Sequence, residues 1–191
     1  MQRLIFFLWS LALFAKGHPM PKIKVTRKPY IIGVMGSHDS LSPAVMEDAR
    51  RLGEGIARRD YVLLTGGGPG VMRAVCEGAY KAGGLVIGIL PNDRQHPLEK
   101  YPNEFVDIAI FTGMYDARNV INAKTPHVLV ALSGGAGTLS EIALSIRGGT
   151  PVICLHAPQF SIPGKHDFIT VNTVEEVLRE IEKILAKQSE K

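Results

Sequence analysis

Three short stretches have the composition of an anion-binding backbone: Gly36-Ser37, Gly66-Gly67-Gly68-Pro69-Gly70 and Gly134-Gly135-Ala136-Gly137-Thr138. Glycine lets backbone N–H groups approach an anion closely. Where such a loop opens a helix, the unpaired N–H groups of the first turn and the helix dipole add to the attraction. Phosphate is the anion these loops would suit. For any one of them the plainer role is a tight strand-to-helix turn, whereas three at one sheet edge favour a ligand. Neither common nucleotide fingerprint is present. Val71 stands where a G-x-G-x-x-G pattern beginning at Gly66 needs glycine, and no loop carries the G-K-[ST] of a P-loop. Both departures argue against a dinucleotide oxidoreductase and against an ATPase.

Arg118 and Glu141 are the charged residues placed to act beside these loops. Arg118 is expected early in the helix leading to the fifth strand, and Glu141 in the first turn of the helix after it, so both would face one crevice. Each also has a structural reading. Thr138-x-x-Glu141 has the spacing of a capping box, with the carboxylate returning to a backbone N–H, and Arg118 reads equally as a surface guanidinium. Spacing alone leaves both open. No metal is expected, because His18, His38, His96, His127, His156 and His166 show no ligand spacing. Cys76 and Cys154 lie far apart in apolar stretches and read as buried thiols.

The elements that must position these residues follow from the hydrophobic pattern. Aliphatic runs at 30–35, 61–65, 85–90, 106–111, 127–132, 151–155 and 168–171 alternate with segments of helical period. YIIGVM, HVLVAL and PVICL are nearly continuous in hydrophobicity, as parallel strands covered on both faces should be. The expected fold is α/β: a single Rossmann-like, doubly wound domain with a mostly parallel sheet of about seven strands. In such sheets ligands sit beyond the carboxyl ends of the strands, where the three glycine loops fall. Ser42 and Pro43 suit a helix start, with Val45, Ala49, Leu52 and Ile56 on one face to about Arg59. Met72, Val75, Cys76 and Ala79 stripe a second helix ended by Gly83 and Gly84. Thr173 and Glu176 form a capping box before Val177, Leu178, Ile181 and Leu185. The one long irregular stretch, 91–105, is expected to lie over the site.

The chain has 191 residues, 46% hydrophobic and 21% charged, which fits one folded domain and excludes a disordered chain. Its net charge of +4 is unevenly placed. Residues 1–28 hold six bases and no acid, leaving 16 bases against 18 acids in residues 29–191. The body is therefore not basic, and neither a nucleic-acid partner nor a membrane is expected for it. Leu4 to Ala15, broken only by Ser10, is too short to span a bilayer but matches a signal-peptide apolar region. Residues 1–28 read as a hydrophobic and basic leader, either a signal peptide cleaved near Ala15-Lys16-Gly17 or an upstream extension of a chain that starts at Met20. The expected domain is 29–191. Its expected location is cytoplasmic, or exported if residues 1–17 are a genuine signal.

GGGPGVMRAV, MYDARN and SGGAGTLSEIALSIRGGTPVI, in this order, resemble the LOG (Lonely Guy) family and its molybdenum-cofactor-carrier-like relatives, proteins often mislabelled lysine decarboxylases. The similarity spans about residues 30–185, and the 23 positions from Arg118 to Glu141 match the family's spacing. The resemblance implies a homodimer that binds a nucleoside 5′-monophosphate, with Gly135, Gly137 and Thr138 holding phosphate and Arg118 and Glu141 serving catalysis. LOG enzymes cleave the base from ribose 5-phosphate. The implied activity is hydrolysis of that N-glycosidic bond through an oxocarbenium-like transition state, with no cofactor required. Ser133 replaces the family's loop proline, Asn119 replaces its lysine after the arginine, and Ser140 precedes Glu141. These features look like the carrier branch and imply the alternative, a non-catalytic carrier of the molybdenum cofactor or another phosphorylated ligand.

Overall fold

The computed structural model describes residues 29–39, 41–156 and 168–189. The leader, His18 and His166 lie outside the described residues. Seven strands, β1 (Ile31–Gly36), β2 (Val62–Thr65), β3 (Val86–Leu90), β4 (Ile108–Phe111), β5 (Val128–Leu132), β6 (Val152–Leu155) and β7 (Phe168–Val171), form one sheet in the order β4-β3-β2-β1-β5-β6-β7. Every neighbouring pair is parallel. The expected strand runs coincide with these to within two residues. The helices are α1 (Pro43–Ala57), α2 (Val71–Lys81), α3 (Asn119–Lys124), α4 (Ala136–Gly148) and α5 (Val174–Ser189), with a 3-10 turn at Tyr115–Arg118.

Local chemistry sets the helix ends. The Ser42 side chain caps α1 by accepting from the Val45 N–H, and Pro43 follows as its first residue. Thr173 and Glu176 form the expected capping box: the Glu176 N–H donates to Thr173 Oγ1 at 3.2 Å, and the Thr173 N–H donates to the Glu176 carboxylate at 3.3 Å. Gly149, left-handed at φ 79°, ends α4.

One face of the sheet packs Ile32, Val34, Leu63, Val130 and Ile153 against α1, α2 and α5. Fully burying each such aliphatic side chain contributes roughly 1.5–3 kcal/mol. Helices α1 and α2 cross in backbone contact, because a Cβ at Gly53 would lie 2.0 Å from the Val75 carbonyl oxygen, and one at Gly78 equally close to that of Arg50. The other face is more thinly covered. Met35, Leu64, Ile89, Leu129, Ala131 and Ile142 form its core with Ile121, Leu139 and Ile146 packed on it, while Ile108 and Ile110 on β4 stay 41% and 44% exposed. The chain lays β2, β3 and β4 outward from one side of β1 and then places β5 on its other side. The strand order therefore reverses between β1 and β5, and the loops leaving their carboxyl ends diverge to open a crevice.

Candidate functional site

The turn after β5 leads from that reversal point into α4. Ser133 and Gly134 take positive φ, 57° and 118°, and Gly135 caps the helix at φ −116°. A side chain at Gly134 is excluded twice, by its backbone and by Thr138 Oγ1, which would lie 2.2 Å from the added Cβ. Gly135 and Gly137 differ: both are exposed, and a Cβ on either would meet nothing within 4 Å among the described residues. Thr138 is buried in the first turn. The N–H groups of Ala136, Gly137 and Thr138 fall in the helical turn that has no intrahelical acceptors, so they point to the open end of α4.

The other two glycine loops are needed by the chain itself. A Cβ at Gly36 would meet the Leu132 carbonyl oxygen at 2.6 Å and Val71 at 2.7 Å. Ser37 accepts the Val71 N–H through its carbonyl and the Asp39 N–H through Oγ. Gly66, Gly67, Gly68 and Gly70 are buried. Gly67 and Gly70 have φ 70° and 65°, Gly66 is pressed by Arg118 and Met72, and Gly68 lies under the Tyr101 ring. The 91–105 stretch lies over the Gly67–Gly68 loop. Asn103 fastens it, its N–H donating to the Gly67 carbonyl at 2.8 Å and its Nδ2 to that of Gly68 at 2.9 Å. A hollow of about 460 Å³ on this segment, lined by Pro69, Arg73, Lys100, Pro102, Asn103 and Glu104, shares no residue with the Gly135–Glu141 turn.

Glu141 corrects the capping-box reading. Because α4 begins at Ala136 with Gly135 as its cap, Thr138 already lies inside the helix and Glu141 belongs to the second turn, too far along to reach back to a first-turn N–H. Its carboxyl, 7% exposed, accepts instead from Asn122 Nδ2 of α3, at 2.8 Å from Oε1. Burial pushes its pKa up from 4.5 to about 7, against the Asn122 hydrogen bond and the field of Arg118, which both lower it. Arg118 closes the 3-10 turn and is at the same time the N-cap of α3. Its Nη1 donates to the carbonyl oxygens of Gly66 and Ile89, and its guanidinium lies 5.7 Å from the Tyr101 ring centre. It is therefore not an ordinary surface residue.

Two asparagines join α3 to α4. Asn119 Nδ2 donates to Ser140 Oγ at 2.8 Å, and Ser140 Oγ donates to the Gly137 carbonyl at 2.7 Å. Asn122, fully buried, holds Glu141 and leaves its own Oδ1 without a partner among the described residues. Sequence reasoning passed over Asn122. The available signal was its place one helical turn after Arg118, on the side of α3 that must face the sheet.

An all-parallel, doubly wound sheet with its loops opening where the strand order reverses defines a Rossmann-like protein. More narrowly, the chain belongs to the SLOG cluster4 family, whose model matches residues 29–189. The resemblance to LOG and carrier-like proteins is borne out. The molybdenum cofactor binding protein of Rippkaea orientalis superposes with a TM-score of 0.75 at 40% identity, covering 84% of this chain and 99% of that one. The molybdenum cofactor carrier protein of Chlamydomonas reinhardtii does so with 0.74 at 35%, covering 83% and 99%. A cytokinin riboside 5′-monophosphate phosphoribohydrolase of Mycobacterium marinum is 30% identical over 101 residues, 52% of this chain and 53% of its own length, so the match spans about half of that enzyme. No helix among the described residues is long and apolar enough to cross a membrane.

Proposed function

We propose that this protein binds a small phosphorylated ligand on the turn from Gly135 to Thr138 and carries it, the ligand being a phosphorylated pterin of the molybdenum-cofactor type. The observation that carries this reading is the pair Gly135 and Gly137. They are exposed glycines that neither packing nor backbone strain requires, on a turn whose N–H groups lack acceptors, and a phosphate is the group that would use both properties. The remaining glycine loops and Ser37 form the rim. Similarity along almost the full length of two molybdenum-cofactor proteins supports the pterin, and so does the engagement of Arg118 with backbone carbonyls, which leaves it less free to act on a sugar.

Glu141 supports a second reading. A carboxyl near pKa 7 in reach of a guanidinium is suited to general acid–base work at neutral pH. In that reading the phosphate of a nucleoside 5′-monophosphate anchors the ribose, water adds to the anomeric carbon as the bond to the base breaks, and the base leaves with a proton. Neither reading requires a cofactor for chemistry. A homodimer fits both, with the half-exposed Ile108, Ile110 and Val120 supplying apolar surface for the partner. The free, buried thiols Cys76 and Cys154 fit a reducing cytoplasm.

Incubation of the protein with AMP, GMP, CMP and a pterin monophosphate separates the readings. Carrying predicts a shift in melting temperature with the pterin phosphate and no release of free base from any nucleotide. Release of base together with ribose 5-phosphate would establish the hydrolase instead.

A further inference from the structure

We propose that Asn122 is a positioning residue for Glu141, its amide holding the carboxyl through Oε1 and turning over to serve the ionised and the protonated acid alike. Asn122 has no exposed surface, donates from Nδ2 to Glu141 Oε1 at 2.8 Å and leaves Oδ1 buried without a partner among the described residues. A buried carbonyl left unpaired is unfavourable, and an aliphatic side chain would avoid it, as the neighbouring Ala123 does. The orphaned oxygen therefore needs a reason, and the neighbouring carboxyl supplies one.

An ionised carboxylate only accepts hydrogen bonds, so the Nδ2 edge of the amide is its complement. A carboxylic acid with its proton on Oε1 must donate, and then the Oδ1 edge is the complement. The two edges of an asparagine amide have nearly the same shape and exchange by a half-turn about the terminal bond. Glu141 is an acid for which both forms are populated near neutral pH, because burial pushes its pKa up to about 7. Two residues act on the carboxyl, Arg118 from the 3-10 turn through its charge and Asn122 from α3 through its hydrogen bond. The neighbouring polar pair on these helices, Asn119 with Ser140, is occupied by its own bond and by the Gly137 carbonyl. Asn122 is thus the contact that fixes the carboxyl in both protonation states. The functional consequence rests on the reading that Glu141 faces the ligand; the pairing itself does not.

The test is a carbon-13 NMR titration of the Glu141 carboxyl in the ligand-free protein, with the Asn122 side-chain amide followed alongside. The expected midpoint is near 7, with the Asn122 amide signals moving at the same midpoint. Asn122→Leu is expected to raise it by about one pH unit, a tenfold gain in proton affinity, because the charge-assisted bond lost by the carboxylate is stronger than the bond lost by the neutral acid. An unchanged midpoint in Asn122→Leu, or wild-type amide signals that stay flat from pH 5 to 9, overturns the proposal. The wild-type measurement stands even if the variant does not fold. Affinity for a pterin monophosphate gives a second readout: Asn122→Leu should weaken it at least fivefold in the wild-type background and less than twofold in Glu141→Gln. Equal losses in both backgrounds would make Asn122 merely structural. Failure of the pterin monophosphate to bind at all would count against the ligand site and leave the carboxyl titration to decide the pairing.

Discussion

Arg118 donates from Nη1 to the carbonyl oxygen of Gly66 at 2.5 Å, and the same nitrogen serves the carbonyl of Ile89. The guanidinium therefore bridges the carboxyl ends of β2 and β3 from beneath the Tyr101 ring, while its charge reaches Glu141. Removing it leaves two carbonyls without their donor, so Arg118→Ala should lose about 1–3 kcal/mol of stability along with ligand affinity. Arg118→Lys should recover part of the stability, since an ammonium also carries several N–H donors, but it loses the flat packing beneath Tyr101. Chemical denaturation checks this; a variant as stable as the wild type would mean that the bridge carries no weight.

Gly137 offers the opposite signature. It lies in the first turn of α4 with open space around it, so Gly137→Ala should leave stability unchanged or raise it by about 0.5 kcal/mol. Affinity for a phosphorylated ligand should nevertheless fall at least tenfold, because the methyl group occupies the approach. Gly134→Ala should instead destabilise the fold, given φ 118° and the clash with Thr138. Thermal melts with and without ligand distinguish the three proteins.

Glu141 makes stability depend on pH. Its pKa in the fold, about 7, lies above its ordinary value of 4.5, so the native state holds the proton more tightly than the unfolded chain does. The resulting stabilisation is fully present below about pH 4.5 and is lost as pH rises through 7, a difference of about 3 kcal/mol. Glu77 and Glu176, lowered by hydrogen bonds from Lys81 and from the Asn172 and Thr173 N–H groups, act in the other sense and only at more acid pH. Wild-type stability relative to Glu141→Gln should therefore fall from pH 5 to pH 8. A parallel pair of stability curves would place the carboxyl in water.

Most of this fold was legible because its signals are local. Strands buried on both faces need continuous aliphatic runs, and all seven runs became strands; Ser42-Pro43 and Thr173–Glu176 carry their capping chemistry within four residues. The capping-box alternative for Glu141 failed for the same reason. Thr138-x-x-Glu141 satisfies the capping-box spacing, but where α4 starts is decided by Ser133 and Gly134 turning to positive φ, which spacing does not encode. Asn122 and Asn103 were missed because their partners, Glu141 and the Gly67–Gly68 carbonyls, are 19 and about 35 residues away and meet them only after the sheet is assembled.

Asn103 is the clasp of the 91–105 segment. Asn103→Ala should leave the Gly68 carbonyl unpaired and loosen the segment locally, by about 1–3 kcal/mol, while the sheet stays intact. Trypsin should then cut after the exposed Lys100 much faster than in the wild type. Equal cleavage rates would show that the segment is held by other contacts.

The identity of the small molecule retained by the purified protein tests the account most directly. Mass spectrometry of the released ligand should find a pterin monophosphate in near-stoichiometric amount from the wild type, and none from Gly137→Val, whose branched side chain fills the space above the α4 turn. A pterin retained equally by Gly137→Val, or ribose 5-phosphate and free base in its place, would contradict the claim that this turn carries an intact phosphorylated pterin.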